Sequence, residues 1–150
     1  MLLSSKGICI RELAEAVFTF GLHRKLNFEN ILDYIKRLSV SVMFYDDVEA
    51  QALEKTLSCT GDRLRFSKVS AMTVMYAKSK QYIVYFNESK IEKADKGKCA
   101  LHELGHILLK HLDDIDESNR STYEREADLF ANMIIELYSL KTKGREKTNV

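Results

Sequence analysis

His102-Glu103-Leu104-Gly105-His106 stands between two apolar flanks, Ala100-Leu101 before it and Ile107-Leu108-Leu109 after it. The surrounding pattern predicts a helix from Asp95 to Leu112. On that helix the two histidines are about 40° apart and one turn along, so both imidazoles leave one face and can hold a single metal ion. Glu103 sits beside them without being needed as a ligand. Its natural chemistry is to accept a proton from a water whose pKa zinc can lower to about 7. With 4 histidines and 13 glutamates in 150 residues, such a pattern arises by accident in roughly 1% of chains of this composition. Two bystander histidines on a helix are therefore a poor competing account.

A catalytic zinc usually has three protein ligands and an open position, so a third donor must come from elsewhere. A third histidine six residues after the second is absent, because that position is Leu112. His111 falls one place short; it reads as a solvated histidine near a helix C-terminus, the alternative being a place behind the ligands or facing a substrate. The better supply is a last helix expected from about Thr122 to Leu140, where Tyr123-Glu124-Arg125-Glu126-Ala127-Asp128 sets carboxylates among apolar residues. Tyr123, Ala127, Phe130, Ile134 and Tyr138 form its buried stripe, and Glu124 and Asp128 lie one turn apart on the flank. Glu124 can then ligate zinc while Asp128 accepts the ring N–H of a ligating histidine and fixes its tautomer. Ser121-x-x-Glu124 is also a capping-box pattern, and if Glu124 is used that way the third ligand becomes Glu126. The Glu-x-x-x-Asp spacing favours Glu124.

Upstream, apolar residues at helical spacing predict a helix from Ile10 to Phe20 that Gly21 can stop, and a second from Asn27 to Leu38. Val40 to Tyr45 is β-prone, Val48 to Leu57 is compatible with helix, and Ser58 to Arg65 reads as loop. Val69 to Ala77 and Tyr82 to Asn87 are two β-prone runs joined by Lys78-Ser79-Lys80-Gln81, which together predict a hairpin. The fold class is thus α+β, a small antiparallel sheet of about three strands packed against helices. Without proline, repeats or low-complexity segments, residues 1–150 read as a single domain. The tail from Lys141 to Val150 lacks an apolar stripe and is expected to fray.

Composition narrows the function classes. Lys+Arg 23 against Asp+Glu 22 gives a net charge of +1, without the basic excess usual in a nucleic-acid-binding domain. Lys141, Lys143, Arg145 and Lys147 are four charges on an expected frayed end, so no direct nucleic-acid binding is expected. Cys9, Cys59 and Cys99 are scattered and odd in number, which fits a reducing cytoplasm and neither a disulfide framework nor a Cys-x-x-Cys clip. Cys99 lies near the metal-binding face, where a small buried thiol is the expected role ahead of a regulatory ligand. No run approaches the roughly 20 apolar residues of a membrane span, and the expected location is the cytoplasm.

From Tyr82 to Leu137 the chain resembles the ImmA/IrrE family of zinc metallopeptidases. The resemblance rests on a strand ending in Asn87, on Ala100 to Leu109 around the histidine pair, and on Glu124-Arg125-Glu126-Ala127-Asp128-Leu129-Phe130-Ala131. This last segment is similar to the family pattern E-x-x-A-[ND]-x-F-A. The resemblance implies a zincin-like active-site helix, Zn2+ as cofactor, His102, His106 and Glu124 as metal ligands and Glu103 as catalytic base. It also implies a stand-alone phage or mobile-element endopeptidase that cuts a helix-turn-helix repressor. Among related peptidases a Tyr, His or Arg stabilises the oxyanion, and Tyr123, His111 and Arg125 are the candidates here. One departure is visible: a Leu-Leu-Met-Pro-like segment is replaced by Asn132-Met133-Ile134-Ile135-Glu136-Leu137, so the last helix should run on. The competing function is a non-catalytic, metal-containing module that binds a repressor or toxin partner without cutting it.

Overall fold

A computed structural model of the chain describes residues 2–57, 66–76, 78–92 and 94–148. The first helix, α1 (Ile10–Val17), buries Ile10, Ala14 and Val17, an apolar stripe at three- and four-residue spacing. After Val17 the ladder loosens into a π turn, Phe18–Leu22, which passes through Gly21 where the sequence predicts a stop. Space explains the glycine: a Cβ there would lie 2.3 Å from the Tyr34 ring. Helix α2 (Phe28–Arg37) begins as expected at Asn27, whose side chain accepts from the Asn30 N–H at 2.8 Å.

Strand β1 (Ser41–Tyr45) leads into helix α3 (Asp47–Leu57), and the predicted hairpin forms from β2 (Ala71–Met75) and β3 (Tyr82–Asn87). The loop expected over Ser58 to Arg65, Cys59 within it, and Ala77 at the end of the expected strand lie outside the described residues. Thr73 stands opposite Val84 in the antiparallel β2–β3 pair. The sheet has three strands, as expected, in the order β1-β3-β2, but it is mixed and not antiparallel throughout. β1 runs parallel to β3, with Val42 opposite Val84. Between β1 and β3 the chain passes through helix α3 and strand β2, and because β3 turns back antiparallel to β2 it runs in the direction of β1.

Being central, β3 is covered on both faces. Val84 and Phe86 point into the main core, shared with α1, α2 and the two helices described next, while Tyr85 points the other way to Tyr45, Ala50 and Phe66. A short helix, α4 (Glu88–Ile91), starts at Asn87, whose Oδ1 accepts from the Ser89 N–H at 2.9 Å.

Helix α5 (Lys96–Leu108) is capped by Asp95, which accepts from the Lys98 N–H at 3.1 Å. It ends a turn before the expected Leu112, because Lys110 adopts the left-handed conformation (φ 59°, ψ 33°) and His111–Asp113 form a separate 3-10 turn. Helix α6 runs from Arg120 to Thr148 and continues through the segment expected to fray. No proline stops it, and Lys141 Nζ donates to the His23 carbonyl near the end of the π turn, tying α6 to the first helices. Helices α5 and α6 approach closely at Gly105, where a Cβ would lie 3.0 Å from the Phe130 ring and 3.2 Å from the Ala127 Cα. That approach sets the first turns of α6 beside the histidine pair. Among the described residues, no helix is long and apolar enough to cross a membrane.

Candidate metal centre

His102 and His106 project from one face of α5 with their Nε2 atoms 3.0 Å apart. Glu124, from the second turn of α6, reaches both. Its Oε2 lies 2.8 Å from His102 Nε2 and its Oε1 3.1 Å from His106 Nε2. Among the described residues these three form a group whose donor atoms lie within 4.8 Å of one another. Two imidazole nitrogens and a carboxylate are a donor set that zinc accepts. Ligands at about 2.0–2.2 Å in tetrahedral array stand roughly 3–3.5 Å from one another, close to the spacing found here.

Each histidine is held from behind, which decides which nitrogen faces the site. His102 Nδ1 lies 2.7 Å from Asp128 Oδ1, the expected pairing. Burial alone would lower the His102 pKa, but Glu124, Glu103 and Asp128 outweigh it and raise the imidazole to about 9. The carboxyl of Glu124 goes the other way. Burial would raise it, yet the two histidines pull it well below the usual carboxylate range. These opposite shifts share one cause, the contact of the imidazoles with the Glu124 carboxylate, which favours positive charge on the histidine side.

His106 Nδ1 meets His111 Nδ1 at 2.9 Å. His111 is therefore not the solvated histidine expected from its place after a helix. It is fully buried, stacked on the Tyr123 ring at 4.1 Å, and its pKa is lowered, chiefly by burial. Apolar periodicity predicts a helix through residue 111; the left-handed Lys110 turns His111 inward instead. Its other nitrogen, Nε2, lies 2.9 Å from Oε1 of the buried Glu126. Glu126 thus points away from the histidine pair. Glu124, for its part, turns to that pair and not to a helix cap.

Glu103 is also buried, at 6% exposure, although it carries a carboxylate. Thr73 on β2 donates to its Oε2 at 2.6 Å, a contact no sequence signal announces because the two residues are 30 positions apart on different elements. The Glu103 and histidine side chains open on a cavity of about 570 Å³ whose opposite wall is the edge strand β2. Cys99 lies in the same cavity, half-buried, with a thiol pushed up by burial first and by Glu103 and Asp95 next. Of the three proposed oxyanion donors, none lines the cavity: Tyr123 is buried and donates to Asp114 Oδ1 at 2.8 Å, His111 is buried beneath it, and Arg125 faces elsewhere. The basic residues that do line it are Lys98 and Arg120, the latter at the start of α6 and missed by sequence reading.

A family model described as the IrrE N-terminal-like domain matches residues 58–136, just over half of the chain. No curated protein and no solved structure matches it. The matched span includes the hairpin, the histidine pair on α5 and the carboxylates of α6, so the elements that build the metal centre and those that define the family coincide, and the chain belongs to the ImmA/IrrE family of metallopeptidases.

Proposed function

We propose that the chain is a zinc endopeptidase, with His102, His106 and Glu124 as ligands and Glu103 as general base, that cuts an extended segment of a helix-turn-helix repressor and so releases phage or mobile-element genes. The observation carrying the catalytic part is the meeting of three donor atoms from two helices beside a buried carboxylate, on a cavity walled by an edge strand. The repressor follows from the family resemblance alone.

β2 is at the edge of the sheet, and its alternation leaves Ala71, Thr73 and Met75 with outward backbone groups, since Tyr76 donates to Gln81 and Asn87 to Ser70 across the hairpin. An extended peptide can add there as a further strand, its carbonyl lying towards the histidine pair. His102, His106 and Glu124 would hold the metal, which would supply Lewis acidity for that carbonyl and a lowered pKa for water. Glu103 keeps Oε2 on Thr73, and Oε1 accepts no other hydrogen bond among the described residues. It takes a proton from the attacking water and returns it to the leaving amine as the C–N bond breaks.

Zinc content and cleavage together test this. The wild type should carry about one zinc per chain and Glu124→Ala much less, while Glu103→Gln should keep zinc and lose cleavage of the cognate repressor. Equal cleavage by Glu103→Gln overturns the assigned base. Full zinc loading with persistent repressor binding and no fragments from the wild type favours the non-catalytic module.

A further inference from the structure

Behind His106 a hydrogen-bond chain leaves the cavity and ends on the N-terminal turn. His106 Nδ1 contacts His111 Nδ1, and His111 Nε2 contacts Glu126 Oε1, each at 2.9 Å. Glu126 Oε2 then accepts the Ser5 N–H at 2.8 Å, and Ser5 Oγ donates to Oε1 at 3.3 Å. The turn at residues 4–7 is held by its own hydrogen bonds. Gly7 N–H donates to the Ser4 carbonyl at 2.9 Å, Ser4 Oγ accepts from the Ile8 N–H at 3.1 Å, and Gly7 takes the left-handed φ of 78° that favours glycine. Lys6 fastens it to the 3-10 turn through Asp114, at 2.8 Å, and through the Lys110 carbonyl.

The protons in this chain are constrained. Glu126, as a carboxylate, only accepts, so His111 donates to it from Nε2. With that proton on Nε2, buried His111 turns its other nitrogen, Nδ1, to His106 Nδ1, from which it can accept a hydrogen bond. With a metal at His106 Nε2, which lies 3.1 Å from Glu124 Oε1, this arrangement would keep the ring proton on Nδ1, the tautomer a ligand requires.

We propose that His111 and Glu126 are positioning residues for His106, and that docking of the turn at residues 4–7 is energetically coupled to occupation of the metal centre through this chain. The inference rests on the reading of His106 as a ligand. Coupling is reciprocal: whatever the docked turn adds to metal affinity, the metal adds to docking of the turn. Groups of this kind behind a ligand are typically worth 10–100-fold in metal affinity.

The test is zinc affinity, measured by competition with a chromophoric chelator, together with hydrogen exchange of the Ser5 amide with and without zinc. His111→Phe keeps a ring to stack on Tyr123 but breaks the chain at its middle. Glu126→Gln keeps one oxygen for His111 and turns an amide against the Ser5 N–H, so at least one of the two contacts is lost. Both variants should bind zinc 10–100-fold more weakly. Zinc should slow exchange at Ser5 in the wild type, and that protection should vanish in His111→Phe, a remote effect that simple loss of packing would not abolish selectively. Should His111→Phe not fold, Glu126→Gln and the wild-type exchange data decide the matter. Variants that melt like the wild type and bind zinc within twofold of it, or a Ser5 amide indifferent to zinc, overturn the coupling alone. A wild type that takes up no zinc overturns the metal reading and this proposal with it.

Discussion

Thr73 and Glu103 illustrate how much one hydroxyl decides. A carboxylate at 6% exposure needs a donor, and Thr73 Oγ1 supplies it to Oε2 at 2.6 Å. Thr73→Val keeps the β-branched shape suited to the strand and removes only that donor. We expect kcat to fall roughly tenfold, as loss of one hydrogen bond to a charged group implies, with KM and zinc content little changed and with Thr73→Ser restoring the rate. Steady-state kinetics on the substrate proposed above check this, and a rise in KM at constant kcat would assign Thr73 to peptide binding alone. The same economy of atoms separates Glu124 from Glu126. Two residues apart, they project about 200° from each other around α6, so one faces the histidine pair and the other faces His111.

At the level of elements, the metal centre depends on how closely α5 and α6 approach. Gly105 is the contact point, and the atoms facing it include the Ala127 backbone, which cannot rotate away. Gly105→Ala should therefore push α6 outward, destabilise the fold by about 1–3 kcal/mol as overpacking does, and weaken zinc binding by moving Glu124. Thermal unfolding and zinc titration on the same variant check both effects; an unchanged melt with intact zinc affinity would mean that the helices have slack. The end of α5 matters equally. Its apolar periodicity runs on to Leu112, and nothing in Lys110 marks a left-handed residue, so local pattern predicts a helix one turn longer with His111 in solvent. Packing decided otherwise, because turning the chain at Lys110 buries His111 against Tyr123.

For the molecule as a whole, a metal at this centre joins α5 to α6 and so links two walls of the main core. Ligands that bind only the folded state stabilise it by mass action: zinc at 100 times its Kd contributes roughly 2.7 kcal/mol. For a chain of this size that is a rise in Tm of about 5–10 °C, lost on adding a chelator. The effect should grow with pH. In the metal-free chain the His102 pKa is raised from 6.5 to about 9, so its imidazolium stabilises the fold fully below pH 6.5 and progressively less as pH rises towards 9. Zinc must displace that proton. The difference in Tm between zinc-loaded and metal-free protein should accordingly widen from pH 6 to pH 8, and calorimetry at several pH values would show a constant gap if His102 did not lose a proton on binding.

Local order was legible in the sequence wherever it depended on neighbours along the chain. Helical spacing placed α2, alternating β-prone residues placed the hairpin, and the i, i+4 histidines and i, i+4 acids put each pair on one helix face. Tertiary structure decided what local pattern does not encode: the parallel pairing of β1 with β3; the meeting of Glu124, and not Glu126, with the histidine pair, which follows from the rotation of α6 against α5; the inward turn of His111 towards Glu126; and the contact of Thr73 with Glu103. In each of these the partners are far apart in sequence, and only the burial of two apolar faces against one another brings them within hydrogen-bonding distance.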